Sequence, residues 1–124
     1  MGNKLVGTWR YESWTAHGPT GAVATVGELA TGLLIITADG WLSVHLMNGE
    51  SVHITPDLNV RYLGYAGPYR MAGDRLVTAV EISSVPTWVG TEQVRDVELT
   101  GDVLMLAPPV AGGVRHELRW RRAG

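Results

Sequence analysis

The sequence contains no cysteine. Disulfides, thiolate nucleophiles and cysteine-based zinc sites are therefore excluded. It also lacks a surplus of either charge: 10 Lys and Arg stand against 12 Asp and Glu, a net charge of −2, with both signs spread along the chain. That balance argues against nucleic acid or an anionic membrane surface as a partner. The closing "RHELRWRR" is locally basic, but its charges alternate with apolar residues, so it reads as a strand rather than a basic arm. No apolar run is long enough to span a bilayer, and the opening "MGNKLVGTW" has no signal-peptide core. Val6 stands where a myristoylation signal needs Ser or Thr. A cytoplasmic location is the resulting expectation. Sustained helical periodicity is missing too. Only "TPDLN" (55–59) suits one helical turn, with Thr55 as cap and Pro56 in the first position.

What is present is a strand pattern. Turn signals recur at "HGPTG" (17–21), "ADG" (38–40), "NGE" (48–50), "AGD" (72–74), "TGD" (100–102) and "AGG" (111–113). Between them lie strand-length segments at 5–15, 32–37, 41–47, 60–71, 75–83, 91–99, 103–107 and 114–121, with shorter pieces near 23–28 and 51–54. The chain of 124 residues, 45% hydrophobic, suits one domain over 1–124. The fold class is all-β: a single antiparallel up-and-down barrel of about eight to nine strands, a shape that can hold one small ligand.

Alternation assigns the faces. In "TEQVRDVEL" (91–99), Glu92, Val94, Asp96 and Glu98 form the polar set, so Gln93, Arg95, Val97 and Leu99 point inward. In the last strand His116, Leu118 and Trp120 oppose Arg115, Glu117, Arg119 and Arg121. In the first strand Arg10 and Glu12 mark the outside, leaving Trp9, Tyr11 and Ser13 within. Tyr65, Tyr69 and Met71 follow because Arg70 points out, and Leu104 and Leu106 form a further inner pair. Leu76, Thr78, Val80 and Ile82 are the preferred core set of 75–83. Over 41–47 the aliphatic Leu42, Val44 and Leu46 are the safer core choice, while a wide polar cavity would prefer Trp41, Ser43, His45 and Met47. The lining is aromatic with a few convergent polar groups, the composition of a ligand pocket.

"LVGTWRYESW", "TADGWLSVHLM", "YAGPYRMAGD", "VPTWVGTEQVRDVELTGDVLML" and the final "LRW" together resemble the bacterial and fungal lipocalin-like domain family, nearly end to end. The resemblance implies a small barrel with one open end that binds apolar small molecules. Several members sit among genes for natural-product biosynthesis, and some barrels of this kind catalyse cyclisation or isomerisation without a cofactor. Gln93, Arg95 and Tyr69 match the family pattern. Members carry a longer helix-forming segment where this chain has "ESVHITPDLNV", histidines where it has Thr78 and Ala79, and an aromatic where it has Asp96. No histidine role carries over to those positions.

The leading functional expectation is a cofactor-free cyclase or isomerase acting on a mostly apolar molecule with carbonyl or hydroxyl groups. Arg95 and Gln93 would stabilise negative charge on oxygen. Tyr69 or His116 would move a proton. Trp9, Tyr11, Tyr65, Trp120, His45 and Trp41 would bind the ligand. Each assignment has a structural counterpart. Arg95 can cap carbonyls or stack on Trp9, His116 can be a neutral wall residue, and the tyrosines can simply pack. Trp88 either covers the mouth or plugs the closed end. His17 and His53 read as solvated, no histidine pair has metal-ligand spacing, and no metal or cofactor is implied. Glu81 and Asp96 fall outside, against a paired-carboxylate hydrolase. The alternatives are a carrier for such a molecule without chemistry, or an interaction module with a filled barrel. Val103 and Met105 on the outer face suggest a homodimer through a barrel wall.

Overall fold

Short alternating runs bounded by Gly, Asp and Asn become ten strands in a computed structural model of the chain. The structure describes residues 3–26, 30–55 and 58–124, with the backbone alone for 26, 48–55 and 58–61. The strands are β1 (Gly7–His17), β2 (Val23–Val26), β3 (Thr31–Ile36), β4 (Trp41–Thr55), β5 (Leu58–Ala72), β6 (Arg75–Ala79), β7 (Ile82–Ser83), β8 (Glu92–Thr100), β9 (Val103–Ala107) and β10 (Arg115–Arg122). A 3-10 turn at Pro86–Trp88 precedes β8. All pairs are antiparallel, and β10 returns to β1 from Trp9 opposite Arg122 to His17 opposite Arg115. β3 and β2 share one edge of β1, at residues 7–10 and 14–17, and act as one interrupted strand. The result is an eight-stranded closed up-and-down barrel with extra strands. Closure gives each of the eight ring strands a partner on both sides among the described residues, while β2 pairs β1 alone. No described helix is long and apolar enough to cross a membrane.

Two irregularities correct the expected faces. Glu12 is an extra residue in β1, between Tyr11 opposite Trp120 and Ser13 opposite Arg119. A bulge of this kind switches the parity of every later side chain. Trp14 is therefore buried, at 4% exposure, and Ser13 is not the inward residue. The second break falls at Val80–Glu81. There Gly67 on β5 has no side chain, and a Cβ would lie 1.8 Å from the Ala79 carbonyl oxygen. Leu76, Thr78 and Val80 are buried as expected, but past the break Ile82 is 68% exposed. Thr55 ends β4 opposite Leu58, which opens β5; the helical turn expected at "TPDLN" falls on Pro56 and Asp57, which lie outside the described residues.

The turns 37–40, 72–74 and 100–102 gather with both chain ends at one mouth of the barrel. This mouth is closed. Trp9 is fully buried, and its indole N–H donates to the Leu5 carbonyl at 2.9 Å. The Arg122 guanidinium lies 4.2 Å from the Trp9 ring centroid and donates to the carbonyls of Val6 (3.0 Å) and Lys4 (2.8 Å). The opening residues are thereby strapped across the barrel base. Stacking on Trp9 thus falls to Arg122, not to Arg95.

The outer wall has two halves. Over β6, β8, β10 and β1 it is laced by ion pairs: Arg75 and Arg115 to Asp96, Arg115 and Arg119 to Glu117, Arg121 to Glu12. Arg70 on β5 reaches Glu92 on β8 across the buried Val77. Met105, expected exposed, is 8% exposed beside Glu117 and Arg119, and the wall-to-wall homodimer loses that support. Among the described residues, Leu33, Ile35, Trp41, Met47 and Tyr62 give the wall of β3 and the adjoining parts of β4 and β5 an apolar surface instead.

Arg122→Met removes a cation–π contact and two charge-assisted hydrogen bonds. It should cost about 2–3 kcal/mol of stability in urea unfolding, against under about 0.5 kcal/mol for the exposed Arg10→Met.

Candidate functional site

The opposite mouth is bordered by the loops 18–22, 80–91 and 108–114. β8 and β10 both begin at this mouth, so Gln93, Arg95 and His116 belong to the half of the barrel that it serves. Directly opposed residues of an antiparallel pair share a face. Gln93 opposes Thr78, which is 1% exposed, and Arg95 opposes Leu76, also 1% exposed. Both expected inward residues therefore look into the barrel. Leu118 sits between Leu106 and Trp14, both buried. Yet Leu118, Arg95, Gln93 and His116 each keep accessible surface. Inward side chains that keep accessible surface beside buried neighbours border space that solvent can reach. The interior is thus not solid beside these groups.

Arg95 donates to the Gln93 side-chain oxygen at 3.0 Å and to the Val94 carbonyl at 2.8 Å. The i, i+2 spacing on one strand face makes the first bond possible. It fixes the amide oxygen on the guanidinium and leaves the Gln93 NH₂ and further Arg95 N–H groups for a bound oxygen. His116 accepts from the Trp14 indole N–H through Nδ1 at 3.0 Å, with the rings edge to face. A neutral ring held this way carries its proton on Nε2. Burial pushes the His116 pKa down from its ordinary value. Trp14 was missed as a partner because the bulge at Glu12 reverses its face. Tyr11, whose pKa burial raises, packs edge to face on Trp120 at 5.9 Å. The Trp120 indole N–H is buried with no acceptor among the described residues. Tyr65 is 8% exposed and meets Trp88 edge to face at 6.0 Å, which puts Trp88 at the open mouth.

Four expected site residues lie elsewhere. Tyr69 sits by the closed mouth, where its hydroxyl accepts from Asn3 Nδ2 at 2.6 Å and donates to the Thr37 carbonyl at 3.2 Å. Trp41, 45% exposed, and His45 stand on the outer wall, because Leu42 and Leu46 take the inner face of β4. Trp9, fully buried under Arg122, is floor rather than contact surface. Glu81 and Asp96 are outside, as alternation placed them. His17 closes β1 on the outer face, paired with Glu117 at 3.2 Å; the His53 side chain lies outside the described residues.

A family model described as a lipocalin-like domain matches residues 6–123. A protein of Aspergillus oryzae named as the 4'-hydroxy-3'-methoxypropiophenone carrier protein ppsC is 36% identical over a stretch covering 49% of this chain and 67% of its own. An uncharacterised protein from Bacteroides eggerthii has a similar crystal structure, with TM-score 0.52 and 19% identity over 94% of this chain and 98% of that one. Fatty-acid-binding protein 1 of Echinococcus granulosus aligns at TM-score 0.47 and 16% identity over 97% of this chain and 98% of its own.

His116 supplies a pH test. Its folded pKa lies below the unfolded value near 6.5, so the unfolded chain binds the proton first as pH falls. The stability it contributes is complete above about pH 6.5 and is lost as pH drops toward the folded value. An NMR titration should place the His116 pKa below 6.5, and His116→Gln should flatten the stability loss between pH 7 and 5.5.

Proposed function

We propose that this chain, which belongs to the lipocalin-like domain family, binds and carries a mostly apolar small molecule bearing a carbonyl or hydroxyl group. The ligand lies in the half of the barrel between the open mouth and the Trp9–Trp120 floor. The observation that carries this reading is the accessible surface on Leu118, Arg95 and Gln93, inward residues with buried neighbours on the same face. Leu118, Tyr11 and Tyr65 supply apolar contact, and Arg95 with Gln93 orients an oxygen. This division between a broad apolar wall and a few fixed polar groups is what small-molecule sites use.

The carrier reading has more support than the cyclase or isomerase reading. The relative from Aspergillus oryzae is named a carrier, for an aryl ketone with phenolic and methoxy groups. Proton transfer in the enzyme reading was assigned to Tyr69 or His116. The Tyr69 hydroxyl is held at the closed mouth, and His116 Nδ1 is held by Trp14. Arg95 and Gln93 serve binding equally well without a shuttle.

4'-Hydroxy-3'-methoxypropiophenone is a suitable probe. It should quench tryptophan fluorescence saturably, and Arg95→Met and Gln93→Leu should each weaken binding about 5- to 20-fold, the worth of one hydrogen bond to a charged or amide group. Mass spectrometry should recover the probe unchanged after prolonged incubation. Saturable binding unaffected by either substitution would refute the placement, and steady conversion of the probe would favour an enzyme.

A further inference from the structure

The apolar half of the outer wall holds a feature that the lumen does not explain. On β3, Leu33 and Ile35 point outward and are 43% and 39% exposed; Met47 and Tyr62 beside them are 55% and 43% exposed. These residues line an open cavity of about 530 Å³ together with Arg10, His45, Tyr11 and the 30–32 segment, a volume within the usual range of small-ligand sites. Register sets its geometry. Arg10 on β1 opposes Leu33 on β3, which opposes His45 on β4. The cation and the imidazole thus flank an apolar strip, roughly 10 Å apart across two strand spacings.

The far wall of this groove is built. Gly64 opposes His45 on β5, and a Cβ there would lie 3.0 Å from His45 Nδ1 and 3.1 Å from the Tyr62 ring. The missing side chain lets the Tyr62 hydroxyl bond His45 Nδ1, while His45 Nε2 contacts Ser43 Oγ at 2.9 Å. The near wall carries charge. Every other described arginine side chain has an ion pair or hydrogen bond, from Arg70 with Glu92 to Arg122 with Val6. Arg10 has none among the described residues. An unmatched guanidinium beside an apolar strip is complementary to one kind of molecule, an anion with a hydrocarbon body.

We propose that this outer groove is a second ligand site, for a monocarboxylate with a medium-length apolar body. The chain or ring lies on Leu33 and Ile35 between Met47 and Tyr62, and the carboxylate pairs with Arg10. The groove adjoins the lumen at Tyr11, which borders both, but its apolar strip and its cation lie on the outer face.

Decanoate is the probe, with decanol as its neutral counterpart. In methyl NMR, decanoate should shift Leu33, Ile35 and Met47 saturably. Arg10→Met should weaken decanoate at least 5-fold and change decanol less than 2-fold; Arg10 is exposed and has no side-chain partner among the described residues, so the fold should persist. The proposal is overturned if no saturable shift occurs, if only lumen methyls such as those of Leu118 respond, or if Arg10→Met binds decanoate as tightly as the native chain.

Discussion

The pairing of β1 with β10 over Trp9 is the constraint on which the rest of the structure rests. It closes the sheet into a ring and brings Arg122 over the Trp9 indole. The same guanidinium holds the carbonyls of Lys4 and Val6, and Trp9 itself holds that of Leu5. Asn3 then reaches Tyr69 on the far side. One mouth is therefore stopped by the chain's own opening residues. A barrel stopped at one end can leave its other end hollow without losing closure, because the strand ladder already satisfies the backbone.

That asymmetry gives the lumen its character. The floor of Trp9, Leu104 and Trp120 is fully buried or nearly so. Above it the same strands carry residues that keep contact with solvent: Leu118 and His116 on β10, Arg95 and Gln93 on β8. Desolvating an arginine with nothing to bond would cost several kcal/mol. Arg95 avoids this through Gln93 and the Val94 carbonyl, and through solvent entering from the mouth. The polar pair can thus meet a ligand oxygen without being stranded when the site is empty. On the outside, ion pairs cover β6 to β1 and reach Arg70 on β5, while the described residues around Leu33, Ile35 and Met47 are apolar, so charge and hydrophobic surface lie on different parts of the ring.

Much of this was legible in sequence wherever period-2 alternation ran uninterrupted. β8 and β10 gather most of their charges on one face, so the inward set of Gln93, Arg95, His116 and Trp120 follows from alternation alone. Where alternation breaks, the sequence misleads. "RYESWT" looks regular, yet the extra residue Glu12 moves Trp14 inside and Ser13 out. "TAVEIS" breaks against Gly67, a neighbour supplied by another strand, so Ile82 lands in solvent. In "WLSVHLM" both faces carry bulk, and packing rather than pattern places Trp41 and His45 outside. Arg122 was beyond reach for a different reason. Which arginine covers Trp9 depends on the β1–β10 register, a non-local pairing that no local pattern encodes.

The account's central claim is physical: the barrel is solid at its strapped end and hollow beside Arg95. A high-resolution crystal structure of the unliganded protein addresses it most directly. Ordered water or a co-purified molecule should touch Leu118 and lie within hydrogen-bond distance of the Arg95 guanidinium. Side chains from across the barrel packed against Leu118 and Arg95, with no solvent between them, would contradict it.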